Sequence, residues 1–272
     1  MNFEKMKSRN DYGMLVEVFT SFFYHKYLKK NDELAFDIGA NAGMHTRFLL
    51  DILSNGKVIA FEPIPELCKK LRDIETERLD VVNAVVSSSK KEINFEINTN
   101  NFALSRIKPL LKKEDDSNQT RASGIYDTLV GSIKLDDLRL DKNLSFIKCD
   151  AEGYDFLALS TGKNVIQKYK PLIIFENGRD WHASQYGYTK LEFFQFFNDI
   201  GYVVYDIHGI PLVPENWFSQ SISYEFISFP RQIDPLPILT SIKNFWTSAG
   251  SLNEIKQWHL CPIIGRDASK WL

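Results

Sequence analysis

Between Glu33 and Ile207, short β-rich apolar runs alternate with stretches whose apolar residues recur at helical spacing. The runs lie at residues 34–38, 57–62, 80–86, 144–150, 171–176 and 202–207, and this alternation predicts parallel strands joined by helical crossovers, a Rossmann-like α/β fold. Before them, residues 13–28 place Leu15, Val18, Phe19, Phe22 and Phe23 on one face, which predicts a helix packed on the core. A helix over residues 44–53 is expected after the first strand. Residues 91–98 read as an extra strand, and the polar stretch 108–123, with Lys112, Lys113, Glu114, Asp115 and Asp116, as a loop or lid. Residues 219–230 supply a last strand. Pro230, Pro235 and Pro237 then break regular structure, leaving an aromatic tail from residue 238 to 272 with Trp246, Trp258 and Trp271. The implied division is a helical segment at 1–30, an α/β domain at 31–230 and the tail at 231–272. The tail's aromatic side chains need a cover, either within the chain or in a homodimer.

Composition narrows the class. The 272 residues carry 33 Lys plus Arg against 35 Asp plus Glu, a formal charge of −2, so no global field gathers nucleic acid. No apolar run is long enough to span a bilayer and no signal peptide is visible, so a cytoplasmic enzyme is expected. Cys68, Cys149 and Cys261 lack metal-site spacing and read as reduced packing residues.

Two segments carry chemistry. Asp37-Ile38-Gly39-Ala40-Asn41-Ala42-Gly43 joins a strand to a helix, where Gly39 and Gly43 permit a sharp turn and a helix N-terminus offers free N–H groups. A nicotinamide fingerprint needs glycine where Asn41 and Met44 stand, which disfavours an oxidoreductase. The next strand ends in Glu62-Pro63, the position from which a carboxylate accepts from both ribose hydroxyls. Asp37 and Glu62 therefore suit an adenosyl ligand, with Asn83 at the third strand end offering its amide to the base. In the second segment, Lys148-Cys149-Asp150-Ala151-Glu152-Gly153, strand alternation would point Lys148, Asp150 and Glu152 the same way, into a ligand crevice or into a structural ion pair. Pro171 to Glu176-Asn177 is another apolar strand closing in an acid and an amide. Asp150, Glu176 and Asn177 could ligate a hard cation such as Mg²⁺ or orient substrate hydroxyls without metal.

Together, residues 37–43, Phe61-Glu62-Pro63, Ile133-Lys134-Leu135-Asp136-Asp137-Leu138, 147–153 and 170–176 resemble the FkbM family of S-adenosylmethionine-dependent methyltransferases, over roughly residues 34–178. The resemblance implies a class I methyltransferase fold with a mixed sheet of about seven strands. It also implies that Asp37, Gly39, Asn41, Gly43 and Glu62 hold S-adenosylmethionine, with Asp150 near the sulfonium. O-methylation of a sugar hydroxyl is the activity expected, on a free or nucleotide-linked sugar for a bacterial surface polysaccharide. A non-sugar natural-product hydroxyl and a non-catalytic partner-binding module are the alternatives. Methyl transfer to a hydroxyl needs a base, for which Asp150, Glu152, Glu176 and His182 are the candidates, while Lys148 would stabilise an alkoxide or neutralise its acidic neighbours. His45, at the first turn of the glycine-loop helix, either packs or touches substrate.

Overall fold

The computed structural model describes residues 9–28, 33–89, 92–110 and 123–248. Within them the chain runs α1 (Arg9–Tyr27), β1 (Glu33–Ile38), α2 (Met44–Ile52), β2 (Lys57–Phe61), α3 (Pro65–Arg72), β3 (Leu79–Val82), β4 (Val85–Val86), β5 (Ile93–Asn98), β6 (Arg106–Ile107), β7 (Ile125–Val130), β8 (Ser132–Ile133), β9 (Asn143–Cys149), α4 (Asp155–Ser160), α5 (Lys163–Tyr169), β10 (Leu172–Glu176), α6 (Asp180–Tyr186), α7 (Lys190–Asp199), β11 (Tyr202–Asp206), β12 (Glu225–Pro230) and α8 (Pro235–Ser248).

The apolar runs form one sheet in the order β11-β12-β10-β9-β1-β2-β3. Neighbouring strands from β10 to β3 are parallel, and β12 inserts antiparallel between β10 and β11. Side chains alternate between the two faces. Phe36, Ile147, Phe175 and Phe226 meet the helices α4 and α7 on one face. Ala35, Phe146, Ile174 and Ile227 meet α1, α2 and α8 on the other. The result is a mostly parallel, helix-flanked sheet of the doubly wound type, whose ligand crevice lies at the carboxyl ends of the strands.

Several expectations change. The run at 80–86 is two strands: β3 closes the main sheet, and β4 pairs with β8 in a separate two-stranded ladder. The extra strand, β5, is also outside the main sheet, forming an antiparallel layer in the order β6-β5-β7. Pro235 and Pro237 do not end regular structure but open α8, because a proline in the first turn sacrifices no helical hydrogen bond. That helix buries Trp246 against Phe19 of α1, ring centroids 5.6 Å apart, so the first tryptophan of the tail is covered within the chain. Trp258, Trp271 and Cys261 lie outside the described residues, as does most of the candidate lid, residues 111–122. No helix among the described residues is long and apolar enough to cross a membrane.

Candidate active site

Above the carboxyl ends of β1, β2 and β9 lies a cavity of about 670 Å³, within the range of small-ligand sites. Its floor is the loop from Ile38 to Ala42. Gly39 has φ +76°, and a Cβ there would stand 1.8 Å from the Asp150 carbonyl oxygen, so the β1 and β9 turns pack too closely for any side chain. One wall holds Glu62, Pro63 and Ile64, continuing to Ala84, Val85 and Val86; the other holds Lys148, Asp150, Ala151 and Glu152. Phe95, Ile107 and residues 99–103 of the small antiparallel layer also line it.

Glu62 is locked in place. Its two carboxylate oxygens accept from the backbone N–H groups of Asn41 and Ile64, each at 2.8 Å, which leaves further lone pairs for two ligand hydroxyls. Burial pushes its pKa up to about 7, against the pull of those N–H donors. Asn83 is not on the cavity wall. Its amide nitrogen donates to the carbonyls of Glu62 and Pro63, so it shapes the turn after β2, and the nearby lining at Ile64, Ala84 and Val85 is apolar. Asp37 lies beneath the loop, fully buried, its Oδ2 accepting from the Thr46 hydroxyl at 2.6 Å while Oδ1 has no hydrogen-bond partner. It braces α2 and does not line the cavity. Gly43, in left-handed conformation, caps the start of α2 beside Leu71.

On the opposite side, strand alternation does not carry through to Glu152, because β9 ends at Cys149 and Glu152 adopts φ +50° in the turn. Lys148 and Asp150 nevertheless meet at 3.2 Å, the ion pair expected as one alternative, and both face the cavity. Burial opposes the Lys148 charge, but the carboxylates of Asp150, Asp37 and Glu17 outweigh it and hold the ammonium protonated. Asp150 is likewise kept below its ordinary range by Lys148, despite burial. Glu152 goes the other way: burial and the charges of Asp150 and Glu176 push it up to about 8. A carboxyl at that value can hold or accept a proton near neutrality.

Of the remaining candidates, Glu176 stands off the cavity wall, with its pKa pushed up to about 7 by burial and by Asp150. Asn177 is fully buried and committed: its amide donates to Tyr188 at 2.9 Å, and its oxygen accepts from the Arg179 N–H at 2.6 Å. It therefore cannot join Asp150 and Glu176 around a cation, and among the described residues no group of three His, Cys, Asp or Glu side chains stands at metal-holding distance. His182 is not a loop residue reaching for substrate. It is buried in α6, its ring packed against the backbone of Gly153 and Gly178 and its Nδ1 accepting from the Gly178 N–H at 2.7 Å. Burial and the Arg106 charge push it down to about 4, which unsuits it as a base.

Two acids went unread in the sequence. Asp155, fully buried at the start of α4, accepts from the N–H groups of Ala151, Gly153 and Glu176, and so pins the turn after β9 to the end of β10. Its place directly after Glu152-Gly153-Tyr154, at a helix start, was the available signal. Glu17 of α1 lines the cavity beside His45, and no sequence pattern marks it.

A family model described as the methyltransferase FkbM domain matches residues 37–204. Among solved structures, the chain is similar to the methyltransferase FkbM from Methylobacillus flagellatus KT, at 18% identity and a TM-score of 0.47, covering 84% of this chain and 52% of that one. It thus spans about half the length of that protein. It is also similar to a precorrin-6y C5,15-methyltransferase from Geobacter metallireducens GS-15, at 14% identity and a TM-score of 0.36 over 71% of this chain and 72% of that one. The plantazolicin methyltransferase BpumL, solved in complex with SAH, matches at 12% identity and a TM-score of 0.39, over 84% of this chain and 92% of that one. No curated protein matches the chain.

Proposed function

The chain belongs to the FkbM methyltransferase family, and from that premise we propose that it is an S-adenosylmethionine-dependent O-methyltransferase acting on a sugar hydroxyl. The observation that carries this reading is the single cavity that runs from the Glu62 carboxylate, braced by two backbone donors, to the Lys148 and Asp150 pair. Its residues fit the cofactor: an acid for a ribose diol, an apolar slot at Ile64, Ala84 and Val85 for a flat base, a glycine floor that admits close approach, and charged groups at the far end. Gly39, Asn41, Glu62 and Pro63 are assigned to this binding, with Gly43 shaping the turn into α2 and Asp37 acting one layer back through Thr46.

When bound, the cofactor supplies an electrophilic methyl group on a sulfonium. The protein's part is to hold the acceptor oxygen in line with it, and positioning of this kind can account for roughly 7–11 kcal/mol of a barrier. Glu152 takes the role of base, accepting the hydroxyl proton at its carboxylate. Lys148 keeps Asp150 ionised at the cavity wall, and Asp155 holds the turn that presents both. Glu176 adjusts the charge of this group from outside the wall. No step assigns a role to Mg²⁺ or to His182. A sugar acceptor, free or nucleotide-linked, rests on the family and on the polar rim of Asn100, Asn101 and Ser105.

Calorimetry with S-adenosylmethionine, S-adenosylhomocysteine and NAD tests the cofactor, and labelled-methyl transfer to a panel of sugars, phenols and amines tests the acceptor. Binding of both adenosyl compounds without NAD, followed by methylation of a sugar, is the expected result. Transfer confined to phenols or amines would sink the sugar assignment, and silence from every nucleotide would favour a partner-binding module.

A further inference from the structure

The family match begins at residue 37, yet one wall residue of the cavity comes from well before it. Glu17, on α1, presents a side chain that is 41% exposed, and its Oε2 stands 3.0 Å from His45 Nε2. His45 Nδ1 is in turn 3.1 Å from the hydroxyl of Tyr24, a fully buried residue of the same helix. Both ring nitrogens of His45 are thus engaged, Nε2 donating to Glu17 and Nδ1 meeting the Tyr24 hydroxyl. The chain Tyr24–His45–Glu17 therefore holds a carboxylate at the cavity wall with one oxygen turned to His45.

The sheet order says which part of a ligand it would meet. Glu62 follows β2 and Asp150 follows β9, with β1 between them. At about 4.8 Å per strand, the two lie on the order of 10 Å apart, the reach from a ribose to the end of an attached amino-acid chain. The apolar slot at Ala84 and Val85 is on the β3 side of Glu62, so a base there sends the amino-acid end toward β9. At that end the Lys148 ammonium, 3.2 Å from Asp150, is outnumbered by the carboxylates of Asp150, Asp37 and Glu17 that surround it, and of these Glu17 is the one held from the α1 side by an imidazole. Glu17 is the carboxylate placed to meet an incoming cation.

Resting on the cofactor reading above, we propose that Glu17 binds the α-ammonium group of the cofactor's amino-acid moiety, with His45 and Tyr24 as positioning residues, so that α1 completes a cofactor site which the family domain leaves open. The test compares S-adenosylhomocysteine, which carries the ammonium, with 5′-methylthioadenosine, which lacks the whole amino-acid group, on the full chain and on its Glu17→Gln variant. We expect Glu17→Gln to weaken S-adenosylhomocysteine roughly tenfold or more, as loss of a charge-assisted hydrogen bond does, while the affinity for 5′-methylthioadenosine stays within about twofold. Retained thioether-nucleoside binding also shows that the variant pocket is folded. Unchanged affinity for S-adenosylhomocysteine, or equal weakening of both compounds, would overturn the assignment. Failure of the unaltered protein to bind either would overturn the cofactor reading, and this inference with it.

Discussion

Asp150's carbonyl oxygen and the Gly39 α-carbon touch across the β1 and β9 turns, and that contact decides how much one atom matters here. Gly39→Ala is expected to cost at least about 2–3 kcal/mol and to abolish cofactor binding, because the new Cβ meets rigid backbone at 1.8 Å and φ +76° is strained for alanine. Urea unfolding and calorimetry would check this; a fully stable, binding-competent variant would show that the β1 turn can separate from β9. Gly43 is less crowded, since the nearest atom to its Cβ is a side-chain methyl of Leu71 at 2.8 Å, but its φ of +85° strains alanine there as well. Glu152 supports a second prediction, on pH. With its pKa raised from 4.5 to about 8, the fold favours its protonated form, so the native state binds more protons than the unfolded chain. Its contribution is therefore present at low pH and is lost as pH rises through that window. Glu152→Gln should flatten the fall in melting temperature of the ligand-free protein between about pH 5 and pH 8, and an unaltered slope would mean that this carboxyl ionises in the fold as it does in the open chain.

Helix α1 shows how an element outside the doubly wound repeat becomes part of the site. Phe19, Phe23 and Tyr24 are fully buried, and Phe19 meets Phe245 edge-on at 5.1 Å and stacks on Trp246 of α8. Those apolar contacts, and not the polar residue at its cavity edge, set the helix in place and so deliver Glu17. Phe19→Ala should cost roughly 3–5 kcal/mol by cavity formation and should weaken cofactor binding in step, because α1 loosens. A loss below about 1 kcal/mol in urea unfolding would mean that α1 is not docked as described. The small layer β6-β5-β7 is the other such element. Its strand β5 alternates Phe95 and Ile97 inward with Asn94, Glu96 and Asn98 more open, and this places Phe95 over the cavity.

For the whole molecule, function follows from strand order. In the mostly parallel, Rossmann-like class I sheet, β1 is central, flanked by β9 and β2, and the loops after all three open on the same edge. The crevice thus gathers Gly39, Glu62 and Asp150 from a span of more than a hundred residues. The reversal of β12 completes a mixed sheet of seven strands without adding to that edge, and Arg179 ties the loops before β12 by donating to the carbonyls of Trp217, Ser219 and Ser223. Asp206 anchors the same region from β11, accepting from His208, Ile210 and Ser223 N–H groups.

The sheet strands and the helices α1 and α2 were legible in the sequence, because burial on one or two faces imposes a period on neighbouring residues that no other constraint erases. The place of Gly39 and Glu62 on the cavity wall was legible for a related reason: each stands where a strand turns, and its partners lie nearby along the backbone or in the adjoining strand. What the periodicity could not resolve was decided by contacts between distant segments. Asn83 and Asn177 carry the right groups at strand ends but spend them on internal hydrogen bonds, and His182 is folded under Gly153 and Gly178. The β3 and β4 run looked continuous because an apolar sequence does not say which ladder it joins. Glu17 was invisible for the same physical reason. A charged residue on an amphipathic helix reads as solvent-facing, and only the docking of α1 against α2 brings its carboxylate to His45 and the cavity.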